Sequence, residues 1–313
     1  MLDLGIVIVN YNVCDLLRDC LKSVYASAGA TFEVCVVDNA SPDDSADMIT
    51  REFPQTHLIR NQANVGYATA NNLGLRYFGF GGPGAGSQEP GINSSAEQRY
   101  TLGNPRYALL LNPDTLVPPD AFAKMIRLMD QRSDLGIAGP KLVRLDGSLD
   151  LACRRSFPTP EVSFWRMTYL SKIFPRTKLF GRYNMTYLNA DQPAEIDAVV
   201  GAFMLVRGQA IDQAGLLDEQ FWMYGEDLDW AYRIKQKGWK VYYYPQVVVQ
   251  HIKRASSGQS NAGAAKAKYE FDRAMWLFYR KHYQAQTSPL VDKFVRFGIG
   301  LKGGSKLRAE MQQ

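Results

Sequence analysis

Histidine is scarce in this chain, with three in 313 residues. The four cysteines, Cys14, Cys20, Cys35 and Cys153, show no metal-ligand spacing, and three sit in apolar surroundings, as small packing hydrophobes do. A reducing, cytoplasmic setting is the expectation. No run of 18 apolar residues occurs, so no membrane-spanning helix is expected. The first residues have no basic leader and run straight into a strand-like stretch, so a signal peptide is not expected. There is no Gly-x-Gly-x-x-Gly after Val9 and no Walker loop, so phosphates must be bound in another way, which suits a metal. No internal repeat is visible. The net charge of +5 permits anionic partners such as nucleotides, phosphates or a membrane surface, but does not call for nucleic acid.

What is present is a globular composition, 46% hydrophobic and 21% charged. The first half alternates short apolar runs with helical periodicity. Leu4–Val9, Phe32–Val37, His57–Ile59 and Tyr107–Leu111 read as strands. Between them, residues 15–27, a stretch capped by Ser41 or Asp43 and ending near Phe53, and a stretch through Asn71 to about Tyr77 read as helices. That order predicts an α/β fold with a doubly wound, mostly parallel sheet. Ligands of such sheets sit at the carboxyl ends of the strands, where Asp38, Asn64 and Asp114 all fall. A Gly-rich, flexible insertion is expected at about 80–105. Further on, Pro118–Arg132, Asp227–Lys237 and Ala264–His282 read as helices. Leu135–Ala138, Lys141–Leu145 and Lys240–Gln250 read as strands, and Ala198–Val206 is an apolar run. Residues 156–189 are aromatic and basic without a clear period. The domain expectation is a core over 1–255 and a helical extension with a basic tail over 256–313.

Several residues invite a chemical reading, each beside a plain one. Asp114 follows a buried strand and the stiff Pro113, where a carboxylate can hold a hard cation whose shell a diphosphate completes; it also suits a turn. Glu226 and Asp227 suit a helix N-terminus, and equally a general base that takes a proton from a sugar hydroxyl. The approach Phe221-Trp222-Met223-Tyr224 offers apolar walls for a sugar. Asp229 and Arg233 stand at helical spacing as a structural pair. His251 ends a strand ahead of the basic loop Lys253-Arg254-Ala255-Ser256-Ser257-Gly258, which can fold over phosphates. Asp38 and Asn39 can read a base edge; Asn64, Gly66 and Asn71 can hold a ribose. Turn and cap roles explain each of these as well.

Taken in order, these segments resemble the family-2 glycosyltransferases of the GT-A fold, in their rhamnosyltransferase-like branch. The matching stretches are Val7-Ile8-Val9-Asn10-Tyr11-Asn12, Val36-Val37-Asp38-Asn39-Ala40-Ser41, Asn64 through Asn72, Leu111-Asn112-Pro113-Asp114, Val200-Gly201-Ala202-Phe203 and Tyr224-Gly225-Glu226-Asp227-Leu228-Asp229. They span most of the chain. The resemblance implies a nucleotide pocket from Val9, Asn10, Tyr11, Asp38, Asn39, Asn64, Gly66, Asn71 and Asn112. It implies that Asn112-Pro113-Asp114 plays an Asp-x-Asp part, with Asn at the first position, so that Asp114 carries most of the charge balance on Mg2+ or Mn2+. His251 would be a second ligand, Asp227 the base with Glu226 beside it, and Gly201, Trp222 and Tyr224 would face the sugar or acceptor. The implied reaction is a single inverting displacement. The implied donor is dTDP-L-rhamnose, with UDP-sugars next, and the acceptor is a lipid-linked or cell-surface glycan. Phe294, Phe297 and Leu301 among basic residues suit peripheral contact with the inner face of a membrane, against a solvated or disordered tail. The aromatic C-terminal helix suits packing on the core or a homodimer. The rival functions are a nucleotidyltransferase, which usually carries a Gly-rich basic loop after its first strand, and a binding module that has lost catalysis.

Overall fold

A computed structural model describes residues 2–82, 105–253 and 261–312 of the chain. Most of the expected insertion, and all but the first residue of the basic loop after Ile252, lie outside the described residues.

The first half follows the predicted alternation: β1 (Leu4–Asn10), α1 (Cys14–Tyr25), β2 (Phe32–Asp38), α2 (Ser45–Glu52), β3 (His57–Arg60), α3 (Tyr67–Tyr77) and β4 (Tyr107–Leu111). All seven residues of β1 and all five of β4 are buried. Such unbroken apolar runs belong to strands covered on both faces. β1 pairs in parallel with β2 and with β4, and β2 with β3. The strand order β3-β2-β1-β4 reverses direction at β1, so Asn10 and Asn112 flank a switch point, where open α/β sheets leave a crevice.

The second half comprises β5 (Thr115–Leu116), α4 (Ala121–Gln131), β6 (Leu135–Val143), α5 (Pro160–Met167), α6 (Leu170–Ile173), β7 (Ala194–Ile196), β8 (Phe203–Arg207), α7 (Gly208–Ala214), α8 (Glu226–Gln236), β9 (Lys240–His251), α9 (Asn261–His282) and α10 (Pro289–Glu310). The sheet continues from β4 through β8, β6 and β9 to β5, with β7 also on β9. β6 and β9 run parallel; the pairs β4–β8, β6–β8, β5–β9 and β7–β9 are antiparallel.

Several boundaries differ from expectation. The two strands read on either side of Pro140 are the single strand β6, whose register with β9 shifts between Pro140 and Lys141. Proline has no N–H to give a ladder, and a bulge absorbs that loss. The apolar run from Ala198 is strand only from Phe203; its first part is a turn that faces α8. Residues 156–189 contain α5 and α6. Ser41 does not cap α2. Asp43 accepts from Ser45 N at 3.1 Å, while Ser41 is drawn back to β1. The tail is helical over α10, kinked at Gly304 (φ +73°), and buries Ile299, Leu307 and Met311 against Trp276 and Tyr279 of α9.

Candidate active site

The crevice at β1 and β2 is built by polar side chains that hydrogen-bond one another. Asn10 Nδ2 donates to Asp38 Oδ1 (2.9 Å) and to Ser41 Oγ (3.0 Å). Ser41 N donates to Asp38 Oδ2 at 3.0 Å, and its hydroxyl to Oδ1. Asn12 N reaches Ser41 Oγ, and both Asn12 and Ala40 take positive φ, so the two strand ends curl toward each other. Asn39 is used in full. Its Nδ2 donates to Asn64 Oδ1 (3.0 Å) and Gly66 O (3.2 Å); its Oδ1 accepts from Asn61 Nδ2 and Val65 N. Two donors and two lone pairs exhaust an amide, so the Asn39 side chain, expected at a base edge, is fully engaged within the protein. It ties β2 to the Asn64 loop. Asn71, expected at a ribose, is buried in α3 with Nδ2 on Tyr67 O at 2.9 Å. The exposed large apolar side chains here are Tyr11 and Val65. Asp38 Oδ2 retains a lone pair.

The Asn64 loop meets the second half at Gly66, where φ is +91° and a Cβ would come within 2.6 Å of Trp222. Only glycine suits that position. Tyr67 N donates to Trp222 O at 2.7 Å. Lys266 of α9 sits 3.5 Å above the Trp222 ring, so one face of this expected sugar platform is already engaged. Tyr224 packs edge-on against Phe271. The Tyr67 hydroxyl reaches both Asn112 Oδ1 (2.9 Å) and Gly201 O (3.2 Å). Gly201 N in turn donates to Asp227 Oδ2 at 3.1 Å. A continuous path therefore joins the Asn112-Pro113-Asp114 turn to the acid pair. Burial, followed by the charges of Glu226, Asp227 and Asp114, pushes the Tyr67 phenol pKa upward, which keeps it a neutral donor.

The acids opening α8 meet three different fates. Tyr224 (φ +69°) and Gly225 (φ +80°) turn the chain so that the helix begins at Glu226, with all three acids inside. Asp227 Oδ2 accepts from Arg155 at 2.6 Å, and Oδ1 from Leu228 N at 2.7 Å. Arg155 is itself buried and also donates to Val199 O at 2.7 Å. Glu226 Oε2 is buried without a partner. Burial, and after it the charge of Asp227, raises the Glu226 pKa well above the usual carboxylate range. Asp229 is shared by Arg233 (2.8 Å), Lys281 (2.8 Å) and His282 (2.7 Å), the structural pairing expected with Arg233 extended onto α9.

The other pole is assembled by the β5–β9 ladder, which sets Thr115 opposite His251. Asp114 Oδ1 lies 3.2 Å from His251 Nε2. His251 Nδ1 lies 2.9 Å from Asp150 Oδ2, and Lys253 Nζ donates to Asp150 Oδ1 at 2.9 Å. Burial alone would lower the His251 pKa, but Asp114 and Asp150 outweigh it and raise the value to about 9. For Asp150, burial acts upward, and the bonds from His251 and Lys253 overcome it to hold the carboxyl far below its ordinary range.

Asp114 and His251 fit a divalent cation. Asp114 Oδ1 is buried and makes no well-aligned hydrogen bond though His251 Nε2 lies 3.2 Å away, and a cation bound between them would displace the proton that the raised pKa keeps on the imidazole. Two donors about 2.1 Å from one ion at right angles lie about 3.0 Å apart, close to the spacing seen here. Asp150 on the far ring nitrogen orients the imidazole as outer carboxylates do for ligating histidines. Among the described residues no cluster of three or more His, Cys, Asp or Glu is arranged to hold a metal. The pair supplies two donors, a number that suits an ion whose shell phosphates complete.

Three residues here were given no role from the sequence: Tyr67, which lies in the Asn64–Asn72 stretch, and Arg155 and Asp150, which no motif marked. Each lies far along the chain from its partner, and only the fold makes the pairing.

The family model described as glycosyltransferase like family 2 matches residues 3–268. The chain is 27% identical over 270 residues to the N-acetylglucosaminyl-diphospho-decaprenol L-rhamnosyltransferase of Mycobacterium tuberculosis, covering 85% of this chain and 81% of that protein. It is 23% identical over 286 residues to the low-salt glycan biosynthesis hexosyltransferase Agl10 of Haloferax volcanii, covering 91% and 76%. Among solved structures, GalNAc-T7 with UDP, GalNAc and Mn2+ superposes with a TM-score of 0.57 at 17% identity, covering 95% of this chain and 54% of that one. That likeness concerns the fold.

Proposed function

The chain belongs to the family described as glycosyltransferase like family 2, and from that premise we propose that it moves L-rhamnose from dTDP-L-rhamnose to a hydroxyl of a lipid-linked glycan by one inverting displacement. The observation that carries this reading is the hydrogen-bond path Asn112–Tyr67–Gly201–Asp227, which holds a cation-competent turn and an acid pair on one sheet edge. The rhamnosyl donor and lipid-linked acceptor draw on the rhamnosyltransferase relative, similar over most of both chains. A lipid-linked acceptor sets the place of work at the cytoplasmic face of a membrane.

The residues divide the labour. Tyr11 and Val65 offer exposed faces for the base, and Asp38 Oδ2 accepts from its imide N–H, an edge thymine and uracil share. Asp114 and His251 would hold Mg2+ or Mn2+, which stabilises the charge on the departing diphosphate. Asp227 removes the acceptor's proton as its oxygen attacks the anomeric carbon. Arg155 and Gly201 N fix that carboxylate in one orientation. Glu226 sits beside it with its pKa raised by burial and by the charge of Asp227, so it is held in its neutral form and the negative charge of the pair stays on Asp227.

The test is a panel of dTDP- and UDP-sugars with Mg2+, Mn2+ or EDTA, read as nucleoside diphosphate release. Metal-dependent release from dTDP-L-rhamnose is expected, and NMR of a glycan product should show the anomeric configuration inverted. Release from a UDP-sugar alone would move the donor assignment. Release from none, or release indifferent to EDTA, would overturn the reading.

A further inference from the structure

We propose that α10 together with the α5–α6 segment forms a docking face for an anionic phospholipid bilayer. The apolar part begins on α10. Leu290, Phe294, Phe297 and Leu301 are between 66 and 70% exposed. At 100° per residue these positions fall within an arc of about 60°. Ile299, which packs into the cluster with α9, lies on the opposite side. The helix therefore presents one greasy stripe away from the body of the protein. Large aromatic and aliphatic side chains aligned in that way are not scattered surface hydrophobics.

A second patch adjoins it. Phe164, Tyr169, Ile173 and Phe174 on and around α5 and α6 are also exposed. Met167 of α5 lies so close to α10 that a Cβ on Gly298 would sit 2.8 Å from its methyl carbon. Gly298 directly follows Phe297 in the stripe, so the two patches meet.

Charge identifies the occupant. Residues 160–182 hold five Lys or Arg and one acid; residues 289–313 hold five and two. Together they carry +7, more than the +5 of the whole chain, so everything else is net −2. Of the ten cations only Arg296 is within ion-pair distance of a carboxylate among the described residues, at 4.0 Å from Asp292. Lys172, Arg176, Lys293 and Lys302 are exposed beside the apolar side chains. An apolar stripe flanked by cations that lack carboxylate partners suits the boundary between acyl chains and anionic headgroups. Among the described residues no helix is long and apolar enough to cross a membrane, so this contact lies on the surface. The inference stands apart from the choice of sugar or acceptor.

The test is flotation of the full chain with vesicles of phosphatidylcholine alone or mixed equally with phosphatidylglycerol, without nucleotide sugar. Binding to the mixed vesicles is expected, at least tenfold weaker to the neutral ones and reduced by salt. Phe294→Ser with Phe297→Ser should lose at least tenfold; Lys293→Glu with Lys302→Glu should lose a similar factor only on anionic vesicles. Thermal unfolding of each variant checks that it folds. Equal binding of wild type and both variants, or no binding at all, overturns the proposal. So does a concentration-dependent dimer that Phe294→Ser with Phe297→Ser abolishes while vesicle binding is absent, since the occupant would then be a second copy. Because no sugar transfer is read, failure here leaves the glycosyltransferase reading untouched, and failure of transfer leaves this one.

Discussion

At the ends of β1 and β2 both oxygens of Asp38 accept hydrogen bonds from Asn10 and Ser41, and the one buried side-chain oxygen left over there, Asn10 Oδ1, belongs to a neutral amide. At the end of β4 and the start of α8 the left-over oxygens belong to acids, Asp114 Oδ1 and Glu226 Oε2, beside an Arg155 Nε that is also without a partner. A buried carboxylate without a partner is far more costly than an amide in the same state. The β1–β2 pole is a finished cradle whose left-over oxygen belongs to a neutral amide, while the other pole keeps its cost at acids that a cation or a proton relieves: His251 stands 3.2 Å from Asp114, and Glu226 is pushed toward its neutral form. Preorganised sites carry such cost, and the surrounding structure must hold it in place.

The largest break in that contrast is Asp227→Asn. It removes the group assigned to the proton but keeps the shape and the Gly201 contact. Transfer should fall by about 10²–10⁴-fold, the usual worth of a positioned general base, while dTDP binding measured by calorimetry stays within about twofold. Substantial residual transfer would remove Asp227 from the role and turn attention to Glu226.

Next comes Asp229→Asn, which tests whether the third acid of α8 belongs to the fold and not to the chemistry. Burial acts upward on the Asp229 pKa, but His282, Arg233 and Lys281 bring it down to about 2. A carboxyl depressed in the folded state stabilises above its unfolded pKa and loses that contribution as pH falls toward the folded one. Against an unfolded value of about 3.9 the shift is worth about 2.5 kcal/mol. Urea unfolding should show the variant less stable by roughly that amount at neutral pH, with the gap closing between about pH 4 and pH 2. A gap independent of pH would show that packing, not the ion pairs, is what the variant loses.

How much of this was legible follows from the same division. The parallel half could be read because each strand is a short apolar run between helical periods, so β4 falls at Tyr107–Leu111 as read and β1 and β2 end one residue beyond expectation. The Asp229–Arg233 pair was legible too, because helical spacing is local. The second half hid its edges. Pro140 looked like a break but is absorbed by a bulge in β6, and the apolar run Ala198–Val206 gave no element of its own: it turns at Gly201 to reach Asp227 and becomes strand only at Phe203. Arg155 and Asp150 were invisible for a different reason. They find Asp227 and His251 across 72 and 101 residues, and spacing says nothing about pairs at such separation.

A smaller effect is expected at Asp150→Asn, which keeps an oxygen toward the backbone but weakens the hold on His251. Outer-shell carboxylates of this kind are worth about 10–100-fold in metal affinity. Mn2+ binding followed by electron paramagnetic resonance in the presence of dTDP should weaken by a factor in that range, with dTDP affinity in EDTA unchanged. Unaltered Mn2+ binding would make Asp150 a cap for the turn at Leu151 and nothing more.

The smallest effect tests the finished side. Asn39→Ala removes four hydrogen bonds at once, yet its partners lie near the surface of the Asn64 loop, where water can replace part of what is lost. The expected cost is about 1–2 kcal/mol, a net hydrogen bond or two. It should fall on donor binding, because the loop that carries Val65 and Gly66 would lose its tie to β2. The donor KM should rise about tenfold at nearly constant kcat. A fall in kcat with KM unchanged would break the comparison, since it would place the Asn64 loop among the elements that move or strain in the transition state instead of in a cradle formed beforehand.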